Sequence, residues 1–514
     1  MSEETKEKQH WIVYPIGSKP KWGLAVLLGI QQYLTMFGAT VLIPFIVGGA
    51  MKMPGDQLAL MISTIFFTSG LCTLIQQSPL GNKLPVIQGG TFSFLGPTFA
   101  IIGMVGAQKL SGDLPMWQIQ VQHIAGAIMI ASVFEIVLGY TGIMGQVRKV
   151  ISPITIGPTI AMIGLALYSI GAPWMASNWI ISLITLGALV VYSQILSLKS
   201  RAFMLFPVLL AIATGWIVAL IGTVTGMISP DSPAYLKTGL IADAAWFSFK
   251  PMLPFKWGFP DFGSTTLWAG AFGMLAGYLA SMIESIGDYY ACARISEAPV
   301  PTSRMISRGL GAEGLGCFIA GILQTCNGTT TYSENIGSIG LTRVASRRVV
   351  RCGAAVMLII PIVGKFGAVL ATLPQPVVGA MFVGLFGMIA SVGLSNLQIV
   401  NMNNSRNLFI IGLSFFAGLS VPYHFSPLLS ANAVAIDWSA GGTFIKVIGD
   451  IFQAILTTGM AVTGLTALLL DNILPGATRA ERGLEVWEKE ASDEAWQEAE
   501  AQWAAMQEGE MRPV

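Results

Sequence analysis

Apolar stretches long enough to cross a bilayer recur along nearly the whole chain, and that repetition leaves few folds open. A transmembrane helix needs about twenty apolar residues, and such runs fall near 23–48, 57–77, 85–105, 121–144, 151–171, 178–196 and 203–227. A second set covers 266–292, 309–324, 326–342, 349–372, 376–394, 407–424 and 446–470. Composition agrees: 53% of residues are hydrophobic and 11% charged, against roughly 25% charged in soluble domains. The expectation is an all-α polytopic membrane protein with no separate soluble domain. The net charge of +1 says little about partners, and no nucleic-acid partner is expected.

Charge placement predicts the topology. Lys6, Lys8, Lys19 and Lys21 precede the first apolar run without the small-residue cleavage pattern of a signal peptide, so this segment is expected to be retained. With a cytoplasmic N-terminus, the cytoplasmic loops hold Lys83, Arg148, Lys149, Lys199, Arg201, Arg294, Arg304, Arg308, Arg343, Arg347, Arg348, Arg351 and Arg406. The opposite loops carry few Lys or Arg; Lys109, Lys237, Lys250, Lys256 and Lys446 are the exceptions, and three of them share one long loop where the positive-inside rule is weakest. This alternation supports fourteen spans, and seven spans per half makes two similar halves inverted repeats. Cys72, Cys292, Cys317, Cys326 and Cys352 are scattered within apolar runs and read as buried packing residues. His10, His123 and His424 offer no pair at metal-ligand spacing, so neither a metal nor another cofactor is expected.

Two segments at matching positions of the halves are poor helix formers. The third reads Gln88-Gly89-Gly90-Thr91-Phe92-Ser93-Phe94 and the tenth Asn327-Gly328-Thr329-Thr330-Thr331-Tyr332-Ser333-Glu334. Interrupted segments at corresponding positions point to a transporter's binding site, the alternative being ordinary helices with Gly and Thr packing faces. Glu334 and Asn335 lie at the second break, and an ionisable group at membrane depth costs roughly 2.5–3.5 kcal/mol on insertion scales. Glu284 and Asp288, four apart, share one face of the eighth span. That pair suits proton uptake and release, while Asp288 alternatively pairs with Arg294 in solvent. A planar heterocycle with ring N–H groups fits this chemistry: a carboxylate accepts its N–H bonds, Asn335 donates and accepts, and Phe92 and Tyr332 offer ring faces.

The run Glu334-Asn335-Ile336-Gly337 through Thr342-Arg343 resembles the signature of the nucleobase-ascorbate transporter family, also called nucleobase:cation symporter family 2. In that family Gln, Glu or Pro is followed by Asn, any residue, Gly, four free positions, Thr, then a basic residue or Gly. Glu284-Ser285-Ile286-Gly287-Asp288 is similar to its eighth-span motif, and Gln88 to Phe94 to its third-span strand; the resemblance covers residues 23–474. It implies a core and a gate built from two inverted seven-span repeats, with short strands in broken spans 3 and 10. It further implies homodimers and an elevator-like movement of core against gate. By that match Glu284 and Glu334 hold a nucleobase, Phe92 and Ser333 contact it, and Asn335 and Asp288 tune specificity and coupling. One position departs: the family commonly has Gln-His in the first span, where this chain has Gln31-Gln32. Gln32 thereby removes a titratable group and puts in doubt any coupling role that rests on that His.

The expected function is import of a nucleobase, uracil or a neutral oxopurine such as xanthine or hypoxanthine, by proton symport. Placing an anion such as ascorbate or urate against Glu284 and Glu334 is repulsive unless both are protonated. Glu at the first signature position resembles uracil-type members, while residues 340–351 and the twelfth and thirteenth spans resemble the animal ascorbate branch. The alternatives are a sodium-coupled ascorbate- or urate-type carrier, or an anion transporter of the same fold with a basic residue or bare helix N-termini at its site. An enzyme is not expected, because Ser285-Ile286-Gly287-Asp288 lacks the first Gly of the intramembrane aspartyl protease motif. The chain divides into an N-terminal tail (1–22), a transporter domain (23–474) and a C-terminal tail (475–514). Both tails are expected to be cytoplasmic, in a plasma membrane or, for a bacterium, the inner membrane. The acidic, Trp-containing stretch 479–507 reads as a short helical tail, and 229–265 as an ordered extracytoplasmic loop.

Overall fold

The computed structural model describes residues 11–106, 114–143, 150–166, 168–200, 203, 206–425, 449, 452–453, 455–487 and 493–505. The N-terminal residues through His10, the charged positions Lys109, Arg148, Lys149, Arg201 and Lys446, and the tail beyond Ala505 lie outside them.

Helices occupy the apolar runs. They comprise α1 (Trp22–Ala50), α2 (Gly55–Gln76), α3 (Leu95–Gly106), α4 (Met116–Tyr140), α5 (Pro153–Ala166), α6 (Tyr168–Ala176), α7 (Trp179–Val190), α8 (Pro207–Val224), α9 (Thr265–Ile295) and α10 (Ser303–Ile322). Then follow α11 (Ser333–Thr342), α12 (Arg347–Ile359), α13 (Gly364–Ala371), α14 (Gln375–Ser395), α15 (Ser405–Phe425), α16 (Gly459–Ile473) and α17 (Asp493–Ala505). Among the described residues, nine helices are long and apolar enough to cross a membrane. Their starts are capped where the sequence supplies an oxygen: Ser264, Thr302 and Ser346 accept backbone N–H bonds at the heads of α9, α10 and α12. The run expected as one span at 349–372 is divided, because Pro361, which has no N–H, sits in a turn at Ile360–Ile362 between α12 and α13.

The two Gly- and Thr-rich segments leave the helical pattern, as their composition predicts. Strands β1 (Gln88–Gly90) and β2 (Thr329–Thr331) pair antiparallel, with Gln88 opposite Thr331, Gly89 opposite Thr330 and Gly90 opposite Thr329. Each then runs into a short helix: Thr91 caps the turn Phe92–Phe94 ahead of α3, and Tyr332 precedes α11. Backbone N–H and C=O groups that a membrane cannot hydrate are thus paired within the protein. Gly89 is required there, because a Cβ would stand 2.5 Å from the Tyr332 ring. Asn327 clamps the ladder's end, accepting from Thr91 N (2.7 Å) and donating to Thr91 O (3.0 Å).

Packing sorts the helices into two groups. In one, α4 lies against α10 and α9, α1 and α2 against α12, and α3 against α9; in the other, α14 lies against α5, α6 and α7, and α16 against α5 and α15. The α4–α10 contact is a close one, since a Cβ on Gly314 would come 2.7 Å from the Ile136 nitrogen. A buried ion triad stitches the second group: Asp471 accepts from Arg406 Nη1 and Arg482 Nη2, both at 2.8 Å, and from Ser152 Oγ at 2.5 Å.

The long connection before α9 is ordered. It contains a helical turn at Gly239–Asp243, and Phe247 bridges to Val363. Lys256 donates to Leu323 O and stands 4.6 Å over the Trp257 ring. Burial lowers this amine's pKa to about 7, against a smaller opposing effect of Cys326. Between pH 7 and the ordinary lysine range the unfolded chain binds the proton and the folded one does not, so local stability rises with pH over that window. Amide hydrogen exchange at Phe255–Gly258, corrected for intrinsic rate, is expected to speed up as pH falls from the ordinary lysine range toward 7, to level off below that, and to lose this dependence in Lys256→Met.

At the opposite end of the sequence, α17 docks on the segment that precedes α1. Trp496 and Trp503 are buried, Trp496 Nε1 donates to Val300 O (2.8 Å), and Glu500 pairs with Arg347 at 3.0 Å. The N-terminal segment itself pairs with the chain leaving α11: Val13 N donates to Arg343 O (2.9 Å) and Ala345 N to Tyr14 O (2.8 Å). All five cysteines are buried.

Candidate functional site

A cavity of about 310 Å³ lies where the two helix groups meet, in front of the strand pair. Its volume falls at the lower end of the roughly 300–1,000 Å³ typical of small-molecule sites. Glu284 reaches it from α9, Glu334 and Ser333 from the first turn of α11, Phe92 from the turn after β1, and Gln31 from α1. Gly90 and Thr330 bring the strands to its wall. The opposite wall is apolar: Ile160, Phe206, Pro207, Val208, Leu209, Leu385, Met388 and Ile389. Every polar lining residue therefore belongs to the group that contains the strands, and no Lys, Arg or His is among the described lining residues.

The carboxylates have unequal support. Glu284 Oε2 accepts only a long bond from Ser93 Oγ, 3.4 Å, which leaves both oxygens available to a ligand. Glu334 lies in the first turn of α11, where the exposed N–H ends of the helix favour a negative charge. The half-helix ends at Arg343, whose left-handed φ of 59° closes it as a C-cap residue does. Phe92 packs edge-on against Phe386, ring centres 4.9 Å apart, and so meets the apolar wall as well as the cavity.

Three expected site residues stand behind this wall. Asp288 is buried, not paired with Arg294 in solvent: its Oδ1 accepts from Ser333 Oγ at 2.7 Å. Asn335 Nδ2 donates to Gln32 O (2.8 Å) and Gln32 Oε1 (2.7 Å), which ties α11 to α1. Gln31, not Gln32, faces the cavity, and its Nε2 has no protein partner. Tyr332 lines the cavity, and its hydroxyl is held by Thr40 Oγ1 at 3.0 Å.

Sequence reasoning misses Glu135 on α4 and Glu313 on α10, both buried. Each is a carboxylate inside an apolar run, the same signal that singles out Glu334. Glu313 Oε1 accepts from Thr331 Oγ1 (2.6 Å), Tyr289 OH (2.9 Å) and Gln88 Nε2 (3.1 Å), so it ties both strands to α9 and α10.

Comparison with known proteins agrees with this geometry. A family model for xanthine/uracil permeases, described as Permease family, matches residues 23–426. Human "Solute carrier family 23 member 2" is 40% identical over 517 residues, covering 93% of this chain and 77% of its own. "Nucleobase-ascorbate transporter 1" of Arabidopsis thaliana is 34% identical over 501 residues, covering 95% and 94%. Among solved structures, the transmembrane domain of the cyanobacterial bicarbonate transporter BicA superposes with a TM-score of 0.52 at 13% identity, covering 87% of this chain and 99% of that one. The anion transporter SLC26A9 gives 0.56 at 14% identity, covering 87% and 65%. At that identity these two show a shared fold and nothing of substrate. The match across most of the chain, with the paired strands and the residues of the signature in place, makes this protein a multi-pass membrane transporter belonging to the nucleobase-ascorbate transporter family.

Proposed function

We propose that the chain imports a neutral nucleobase, uracil or an oxopurine such as xanthine or hypoxanthine, by proton symport. One observation carries this reading: two carboxylates, Glu284 and Glu334, face a cavity whose described lining has no basic group. Ring N–H groups satisfy such oxygens, whereas an ascorbate or urate anion is repelled unless both are protonated. The N-terminus of α11 is not a bare anion site, because Glu334 occupies its first turn. Ser333 and Phe92 complete the contact surface. Asn335, through Gln32, and Asp288, through Ser333, act by positioning.

The division of the cavity supports an elevator movement. The strand-bearing group serves as a core that carries all polar contacts, and the α5, α8 and α14 wall serves as a gate offering only apolar surface to slide along. Fourteen spans in two inverted halves, cytoplasmic termini, a plasma-membrane location and a homodimer complete the proposal. Uracil uptake into proteoliposomes is expected to collapse when the pH gradient is dissipated with sodium equal on both sides. Uptake that follows a sodium gradient at constant pH overturns proton coupling.

Ascorbate is the second reading, favoured by the relatives whose printed names join nucleobase and ascorbate. Competition of labelled uracil by unlabelled ascorbate separates the two. Displacement only by nucleobases supports the first, and displacement by ascorbate at equal concentration supports the second.

A further inference from the structure

Behind the strand pair, on the face away from the cavity, lies a second pair of carboxylates. Glu135 and Glu313 are 0% and 1% exposed, and their backbones meet at the tight α4–α10 contact, where a Cβ on Gly314 would stand 3.1 Å from the Glu135 carbonyl carbon. The other titratable groups around the pair are Tyr278, Tyr289, Asp288 and Glu284 of α9, Cys317 of α10 and Cys72 of α2. Among the described residues neither carboxylate has a Lys or Arg partner. Two adjacent buried anions with no cation are a high-energy arrangement, since taking an unpaired carboxylate out of water is costly, so one proton rests on the pair and the doubly ionised form is transient.

The hydrogen bonds are asymmetric. Glu313 Oε1 accepts three donors, the environment of an ionised carboxylate. Among the described residues its Oε2 has no partner, and neither oxygen of Glu135 has one. A single proton accounts for two of these three vacancies: Glu135 carries it as a neutral acid and offers it to the free oxygen of Glu313. We propose that Glu135 and Glu313 form a proton-binding dyad, separate from the substrate cavity, that takes up and releases the symported proton. Its part in transport rests on the proton-symport reading above.

The wiring to the cavity follows from strand alternation, which sends neighbouring side chains to opposite faces. Thr331 bonds Glu313, while Thr330, next to it, lines the cavity. Ser285 joins them, with its Oγ 3.0 Å from Thr330 Oγ1 and 3.4 Å from Thr331 N. Protonation converts the dyad from two anions to one; release restores the second charge. That added repulsion loads the Thr331–Gln88 rung, and with it the backbone that frames the substrate.

The test uses the full chain. Infrared spectra of native protein and Glu135→Gln are expected to differ by one protonated-carboxyl band. In proteoliposomes the variant is expected to keep nucleobase counterflow while losing accumulation driven by a pH gradient by roughly tenfold or more, the scale of a coupling free energy. A band that survives Glu135→Gln, or gradient-driven accumulation that is unchanged, overturns the proposal. Should that variant fail to fold, Thr331→Val, which removes one donor from Glu313, must shift both the band and the pH profile of uptake; an unmoved band and profile overturn it equally. Absence of nucleobase counterflow by the native protein instead defeats the function proposed above, and the infrared band then decides alone on the shared proton.

Discussion

Glu284→Gln is expected to weaken binding of a neutral nucleobase by roughly 10- to 150-fold, equivalent to the 1.5–3 kcal/mol of a hydrogen bond to a charged group. The effect comes from availability. Among the described residues, this carboxylate has no donor apart from a 3.4 Å bond from Ser93, so its acceptor capacity is open to the cavity. An amide of the same shape keeps one acceptor oxygen and presents an NH₂ where the ligand also presents N–H, so a favourable contact becomes a donor–donor clash. Glu334→Gln is expected to act differently, shifting preference from uracil toward xanthine, because a donor at the edge of α11 complements a ring carbonyl. Titration calorimetry on the purified protein reads both. Unchanged uracil affinity in Glu284→Gln removes that residue from the site.

Asp471→Ala is the substitution expected to cost the most stability, on the order of 3–5 kcal/mol, the range for breaking a buried ion pair by removing one partner. Both oxygens of Asp471 are occupied by guanidinium groups of Arg406 and Arg482, and its side chain is fully buried. Truncation strands two cations beneath the α15–α16 contact, and Ser152 loses its acceptor. None of these residues lines the cavity, so nucleobase affinity of the fraction that remains folded is expected to hold. A lowered melting temperature with unchanged affinity is the expected pair of results. An unaltered melting temperature shows that the triad contributes nothing net.

How far the sequence discloses this protein depends on whether the relevant signal is local. The broken segments are legible because Gly89, Gly90 and Thr329–Thr331 are poor helix formers side by side. Glu284 and Glu334 stand out because a carboxylate in an apolar run is costly wherever it is found. The Asn335–Gln32 bond is different in kind: its partners lie 303 residues apart, and nothing near either position marks the other. Gln31 and Gln32 are adjacent and chemically identical, so only the orientation of α1 decides which of them meets the cavity. The break at Pro361 is visible as a proline, yet prolines also lie within α1 and α15 without ending either helix, so the residue alone does not separate the two cases. Glu135 and Glu313 each carry the signal of Glu334, a carboxylate in an apolar run, without a motif around it. In the tail, tryptophans among acidic residues mark a helix, but the surface that buries Trp496 and Trp503 is drawn from distant segments, the stretch before α1 and the Val300 carbonyl among them.

That docking gives the molecule a mechanical address. The segment held by α17 is also the one clasped by the residues immediately after the half-helix that bears Glu334, so a displacement of that half-helix would carry the stretch before α1 and α17 with it. A spectroscopic label on the exposed Glu500, paired with one on the exposed Leu198 that follows α7, would report that displacement without a probe in the cavity.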